Sequence, residues 1–295
     1  MMLCLLFGMA LNFLSKAKLT KSGVQYTSRS ILRLGVALIG ARIMLSDFTE
    51  LGAGLIAIVI ITTIAIILLG ILLAKLLKAG SEQGLLISGA SAICGASAAL
   101  AISATMPNSK SLEKNTLIAV VGITAIGTIA MITYPLIINI LGINDYEAGI
   151  LIGGAIHDVA QVVGAGYSVS EEAGDTAVII KLIRVSMLVP ILFVLALIFS
   201  HKKTSSDTKT PLVPLFIMGF IVLVILNSLS IIPIELADIL KTVSKWLLIM
   251  AITAVGMKTS FKEVMSLGWK PITLILIETI IIFGIYLSVI TLNLI

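Results

Sequence analysis

The sequence predicts an all-α polytopic membrane protein, and three observations carry that prediction. Hydrophobic residues make up 59% of the 295 positions, charged residues only 12%, and the charges gather between long apolar runs. Soluble domains hold roughly 45–50% apolar and about 25% charged residues, so a water-soluble chain could not hide this much apolar surface. From Leu51 to Ala74 no residue is charged, and about 20 helical residues cross a hydrocarbon core about 30 Å thick. Membrane β-barrels are excluded, because no alternating in-and-out pattern runs through the chain.

Further runs of that kind are Thr116 to Asn144, Leu182 to Ser200, Leu212 to Pro233, Trp246 to Val255 extended by small residues, and Pro271 to Ile295. Gly84 to Met106 and Ala148 to Tyr167 put Gly, Ala and Ser where the other runs have Leu and Ile, a composition of helices that pack closely or break. With the N-terminal runs, about ten membrane-crossing segments are expected, these two being doubtful as simple spans. Met1 to Leu14 is not a signal peptide, since Lys16, Lys18 and Lys21 follow the apolar run instead of preceding it. The run is short for a full crossing, and the sequence is expected to start partway through a helix.

Ten crossings taken in order sort the basic residues. Lys16, Lys18, Lys21, Arg29, Lys75, Lys78, Lys202, Lys203, Lys209, Lys258, Lys262 and Lys270 fall on one side. Lys110, Lys114, Lys241 and Lys245 fall on the other, with the acidic loop of Glu171, Glu172 and Asp175. The first side is expected to be cytoplasmic, with both chain ends outside. The same rule accounts for the net charge of +5 without invoking nucleic acid. His201 to Thr210 is the longest polar stretch and reads as a cytoplasmic linker between membrane helices of 1–200 and of 211–295.

Internal similarity is weak. GARIMLS at Gly40 to Ser46 resembles AVGMKTS at Ala254 to Ser260, and an odd number of crossings between them gives the opposite orientation that an inverted repeat requires. SAICGASA at Ser91 to Ala98 also resembles GAIHDVAQ at Gly154 to Gln161. Ten crossings give these two the same orientation, so a shared bias to small residues explains that likeness at least as well.

Transporters present backbone groups at mid-membrane by interrupting helices, because irregular backbone survives there only where it lines a cavity. In LLISGASAICGASAALAISATMP, Gly89 and Gly95 permit unwinding, Ser88, Ser91, Ser97 and Ser103 supply hydroxyls, and Cys94 lies beside the expected break, facing water. A helix restarting near Gly95 would aim free N–H groups at an anion. Close packing through Gly89, Ala92 and Ala96 is the alternative. The second candidate is Gly153 to Tyr167, where His157 and Asp158 stand in an otherwise uncharged stretch, with Gln161 a turn away.

An ionisable group inside a membrane is by default a functional hypothesis. Asp158 is the candidate ion-coupling carboxylate, against a permanent structural ion pair; His157 is either a site residue or a hydrogen-bonded core residue. Arg42, Lys181 and Arg184 are the basic partners, and Arg suits an oxyanion through its fork of donors. Arg184 is the expected counter-charge of Asp158, whereas Lys181 reads more readily as snorkelling to the interface. Glu278 has no evident partner.

No HExxH, Walker A, GxSxG or paired-cysteine motif occurs, and two cysteines and two histidines suggest no disulfide framework or metal centre. An enzyme, a cofactor and a bound metal are therefore not expected.

LRLGVALIGARIMLSDF, LLISGASAICGASAA, LIGGAIHDVAQVVGAGYSVSEEA, VIIKLIRVSMLVP and VGMKTSF, in this order, resemble the sulfate exporter family of bacterial membrane proteins, the YeiH-like group. The resemblance covers nearly the whole chain. It implies the superfold of sodium–proton antiporters and bile-acid symporters, with inverted repeats and broken, crossing helices, in a multi-pass protein of the bacterial inner (plasma) membrane. It departs in two places: the family has further helix before Met1, and a hydroxyl is missing at Ala90. Carried over residue by residue, it implies Ser91, Cys94, Gly95, Ser97, His157, Gln161, Arg184, Thr259 and Ser260 as substrate-binding, Asp158 as ion-coupling, and Lys181 beside them. The expected activity is secondary active export of a small oxyanion such as sulfate, with a proton or sodium ion, the lipid bilayer and a second copy of the chain as partners. The rivals are a cation–proton antiporter or organic-anion symporter of the same fold, and a non-transporting membrane subunit or receptor.

Overall fold

The computed structural model describes residues 2–41, 43–107, 109–199, 215–258, 267–292 and 294, and among them the regular structure is entirely helical. The 201–210 linker, Arg42, Thr259 and Ser260 lie outside the described residues. Among the described residues, five helical stretches are long and apolar enough to span a membrane: Gly52–Leu76, Leu112–Leu141, Glu171–Phe199, Ile234–Lys258 and Trp269–Thr291.

In chain order the helices are α1 (Met2–Ala10), α2 (Lys18–Tyr26), α3 (Leu32–Ile39), α4 (Leu45–Glu50), α5 (Gly52–Leu76), α6 (Ser81–Ala92) and α7 (Ala96–Thr105). Then come α8 (Leu112–Leu141), α9 (Asp145–Ala155), α10 (Val159–Val169), α11 (Glu171–Ser186), α12 (Leu188–Phe199), α13 (Leu215–Ser228), α14 (Ile234–Lys258) and α15 (Trp269–Thr291). On α5 the outer face exposes Ile61, Ile64, Leu68 and Leu72, while Val59, Thr62, Thr63, Ile66, Gly70 and Ala74 are buried. Both faces are apolar, as a helix between protein and lipid must be, and the inner one is marked by its small and hydroxyl residues.

The two Gly- and Ser-rich segments do not cross. A Cβ on Gly89 of α6 would collide with the Ile102 Cδ1 of α7, so these helices lie side by side. Glu82, at the start of α6, accepts hydrogen bonds from Ser109, Ser111 and Asn115 (2.6, 3.0 and 2.7 Å), beyond the end of α7. Residues 81–105 thus form a hairpin that returns to the end it entered. Likewise, added Cβ atoms on Gly149 of α9 and Gly166 of α10 would lie 2.9 and 3.3 Å from the same carbonyl oxygen, that of Ala173. Residues 145–169 form a second hairpin. α8 joins the two, so the first enters from the end marked by Lys78 and the second from the end marked by Glu171.

This corrects the expected crossing helices and two of the sequence assignments. Lys110 and Lys114 belong with Lys78, not with Lys241. Ser91–Ala98 and Gly154–Gln161 enter from opposite ends, not in the same orientation. Other contacts agree with the sorting: Lys270 Nζ donates to the Lys78 carbonyl (3.0 Å), and Lys241 of α14 pairs with Glu171 (3.0 Å).

Two bodies result. α5 to α11 pack with α15 around both hairpins, and α12 lies against α7. α14 gathers α1, α2 and α3, with α13 against α3. The bodies meet where α10 touches α14 and α1.

Candidate functional site

The hairpin tips meet half-way along α8. Hairpin one turns at Ile93, Cys94 and Gly95, and the φ of +68° at Gly95 is one that only glycine adopts freely. Hairpin two turns at Ile156, His157 and Asp158. Gln161 anchors it to α8 by donating from Nε2 to the Thr124 carbonyl (2.8 Å) and Thr128 Oγ1 (3.2 Å). At each tip one helix ends, with carbonyls that lack partners, and another begins, with free N–H groups.

Arg184 of α11 takes the carbonyls of both hairpins. Its Nε donates to Ala92 (2.9 Å) and its Nη2 to Ser91 (2.8 Å), both at the end of α6. Its Nη1 reaches the carbonyls of Gly153 (3.3 Å), Gly154 and Ile156 (3.2 Å) in the second hairpin. Lys181, one turn earlier, donates to the Ile156 carbonyl (2.9 Å) and is fully buried, so it does not snorkel. The expectation that Arg184 is the counter-charge of Asp158 is likewise corrected, because Nε, Nη1 and Nη2 all donate to tip carbonyls and none to Asp158. An unpaired buried carbonyl costs about 1–3 kcal/mol, and five converge here.

His157 ties the tips to α15. Its Nδ1 lies 3.1 Å from the Ser91 carbonyl, which can only accept, so Nδ1 carries the hydrogen. In the neutral ring Nε2 then accepts from Thr279 Oγ1 at 2.8 Å, taking the one hydroxyl hydrogen that would otherwise go to the Ile275 carbonyl at 2.7 Å. Both ring nitrogens are thereby bonded to protein, which places His157 as a hub between α6, the second tip and α15.

Asp158 is different. Its Oδ1 caps α10 by accepting from the Ala160 N–H (2.9 Å), and its side chain is half-buried where His157 is sealed. A Cβ on Gly95 would lie 3.3 Å from Asp158 Oδ2, so the carboxylate sits against the start of α7. The charges acting on it come from Lys181 and, from the other body, from Lys258 of α14 and Arg33 of α3. Ser97, in the first turn of α7, is exposed. The accessible side of the tips thus presents the N-terminal ends of two helices, a hydroxyl and one carboxylate.

Among the other expected site residues, Ser91 contributes its carbonyl, and its Oγ is buried without a partner. Cys94 lies at the break as expected but is only 4% exposed, not open to water. Gly89 serves close packing and not unwinding. Sequence reasoning missed Thr279, and although it named the Ser88 hydroxyl it missed the partner, Glu278, whose Oε1 lies 2.7 Å from Ser88 Oγ. It also missed Gly127, where a Cβ would strike Gln161. No local pattern marks these, because each partner is contributed by a helix far away in sequence.

Fold and site together define a polytopic helical membrane protein with two opposed hairpins whose tips share one clasp. The chain belongs to the family described as Conserved hypothetical protein 698, whose model matches residues 1–275. It is similar to the UPF0324 membrane protein CT0845 of Chlorobaculum tepidum, with 47% identity over 95% of this chain and 79% of that one. The UPF0324 membrane protein TauZ of Paracoccus denitrificans is 43% identical over 95% of this chain and 84% of its own length. The similar protein RB0971 of Rhizobium meliloti is 42% identical over 96% and 83%. No solved structure matches the chain.

Proposed function

We propose that the protein is a secondary active transporter of the bacterial inner membrane, not an enzyme, that exports a small oxyanion such as sulfate by alternating access. The observation that carries this reading is the meeting of two hairpins from opposite ends at mid-membrane. Irregular backbone at that depth belongs beside a solute path, and opposed entry is the arrangement of inverted repeats. In this reading the chain makes eight traversals and two re-entrant turns, with the Lys78 end cytoplasmic.

The anion binds on the accessible side of the tips, where the first turn of α7 offers N–H groups and the Ser97 hydroxyl. Arg184 and Lys181 neutralise the carbonyl ends and leave that side electropositive. Asp158 occupies the same side, so an arriving anion and the carboxylate repel, and loading favours a proton or sodium ion on Asp158. The body carrying α14 provides the surface against which the hairpin body moves.

Flux tests this. Purified protein in vesicles is expected to carry sulfate, sulfite, a sulfonate or a carboxylate down an imposed gradient. Absence of flux for all four would leave a non-transporting membrane subunit. The position of Asp158 also favours a second reading, cation–proton antiport, which sodium-driven proton movement without any anion would establish.

A further inference from the structure

Glu278 lies outside the tips, on α15, one residue before the threonine that holds His157. It is fully buried. Its Oε1 is 2.7 Å from Ser88 Oγ of hairpin one, and its Oε2 has no hydrogen-bond partner. Among the described residues the surrounding wall offers no opposite charge. From α5 comes Gly70, whose missing Cβ leaves the space that Ser88 Oγ and Glu278 Oε1 fill. From α6 come Ser88 and Ser91, and α9 sets Gly154 against Tyr286 of α15. From α8 come Gly122, against Ile275, and Tyr134, against Phe283. The titratable group reaching this wall from the second tip is His157, through Thr279. Lys181 and Arg184, the buried cations of α11, are committed to backbone carbonyls.

Counting hydrogens decides the state of the carboxyl. Ser88 has one hydroxyl hydrogen and two acceptors, the Gly84 carbonyl and Glu278 Oε1, each at 2.7 Å. An ionised Glu278 would take that hydrogen from Gly84 and bury a full charge with no cation beside it, faced only by the neutral hydroxyls of Ser88 and Ser91. A proton on Oε1 resolves both: the acid donates to Ser88 Oγ, Ser88 donates to Gly84, and Oε2 is a neutral carbonyl oxygen.

From this geometry we propose that Glu278 is a reversible proton-binding site, separate from Asp158, which holds its proton at neutral pH through Ser88. Release needs a donor or water at Oε2, and Ser88 rides on hairpin one. Displacement of that hairpin from α15 therefore opens the site. That this proton is exchanged against the anion, in addition to the ion on Asp158, rests on the transport reading; the site itself does not.

Infrared spectra of the protein in lipid nanodiscs test the site directly. The carbonyl band of a protonated carboxylic acid is expected at neutral pH, absent in Glu278→Gln, and converting reversibly to carboxylate bands on alkaline titration. A wild-type minus Glu278→Gln difference containing only carboxylate bands would overturn the proposal, as would an acid band that persists until the protein unfolds. Should Glu278→Gln not fold, Glu278→Asp keeps the test, since the band must then shift. In sulfate-loaded vesicles an imposed pH gradient is expected to accelerate wild-type flux and to leave Glu278→Gln flux unchanged. If wild type carries no sulfate, the transport reading fails while the infrared result stands.

Discussion

Hairpin one and hairpin two turn over the same number of residues, but by different means. In the first, the backbone makes the turn: Gly95 takes a φ of +68° and its N–H returns to the Ala90 carbonyl at 2.8 Å. In the second, Ile156 and Asp158 are extended (φ −78° and −100°), and side chains supply the bonds, Asp158 to the Ala160 N–H and His157 to Ser91. A backbone-made tip depends on the φ of its glycine and not on a polar side chain. A tip made by side chains can respond to charge, which is why the titratable groups belong to the second. Arg184 is what both share.

The largest expected effect tests whether the hairpins return at all. Cysteines introduced at Lys110 and at Lys78 should react with an impermeant thiol reagent from the same face of the membrane, and one at Glu172 from the opposite face. Labelling of positions 110 and 172 from one face would restore crossing helices and dissolve the comparison.

Next is the clasp. Arg184→Ala frees carbonyls of both tips and is expected to cost about 3–5 kcal/mol, in the range for breaking a buried charged network. Thermal unfolding in detergent should show it, and Arg184→Lys should rescue little, because one ammonium cannot span both tips. A small loss would mean that water or lipid replaces the clasp.

Single-tip changes sharpen the difference between the hairpins. Gly95→Ala combines a positive φ, which costs a non-glycine residue about 1–3 kcal/mol, with a contact to Asp158, and should destabilise the protein and abolish flux together. Asp158→Asn keeps an N-capping oxygen and should cost under about 1 kcal/mol. Flux driven by an ion gradient should be lost, while exchange down a substrate gradient survives. Equal loss of stability in the two variants would show that Asp158 is structural.

The smallest effect concerns the base of hairpin one, outside the membrane-spanning helices. Burial raises the Glu82 pKa, but the bonds from Ser109, Asn115 and Ser111 outweigh it and hold the carboxyl below its ordinary value. A lowered folded-state pKa stabilises above the ordinary carboxylate range, and that stability disappears as pH falls through the lowered value. Glu82→Gln should therefore flatten the acid limb of the stability profile, read by thermal melts, with little change at neutral pH.

The sequence alone determined that the chain is helical and lies in a membrane, because composition and the length of charge-free runs such as Leu51 to Ala74 answer directly to the thickness of a bilayer. It also marked both tips, since Gly95 and the His157–Asp158 pair are out of place in plain apolar helices. Hydropathy could not separate a segment that crosses from one that turns back, as both are apolar and of similar length. Lys110 was therefore assigned to the wrong face, and two opposed motifs to one direction. Tertiary structure alone decided what the buried polar groups do. Arg184 binds carbonyls from about 30 to 93 positions away in the chain, and Glu278 meets Ser88 from 190 away. Such groups must find partners out of water, and which partners they find depends on helices that sequence order does not place together.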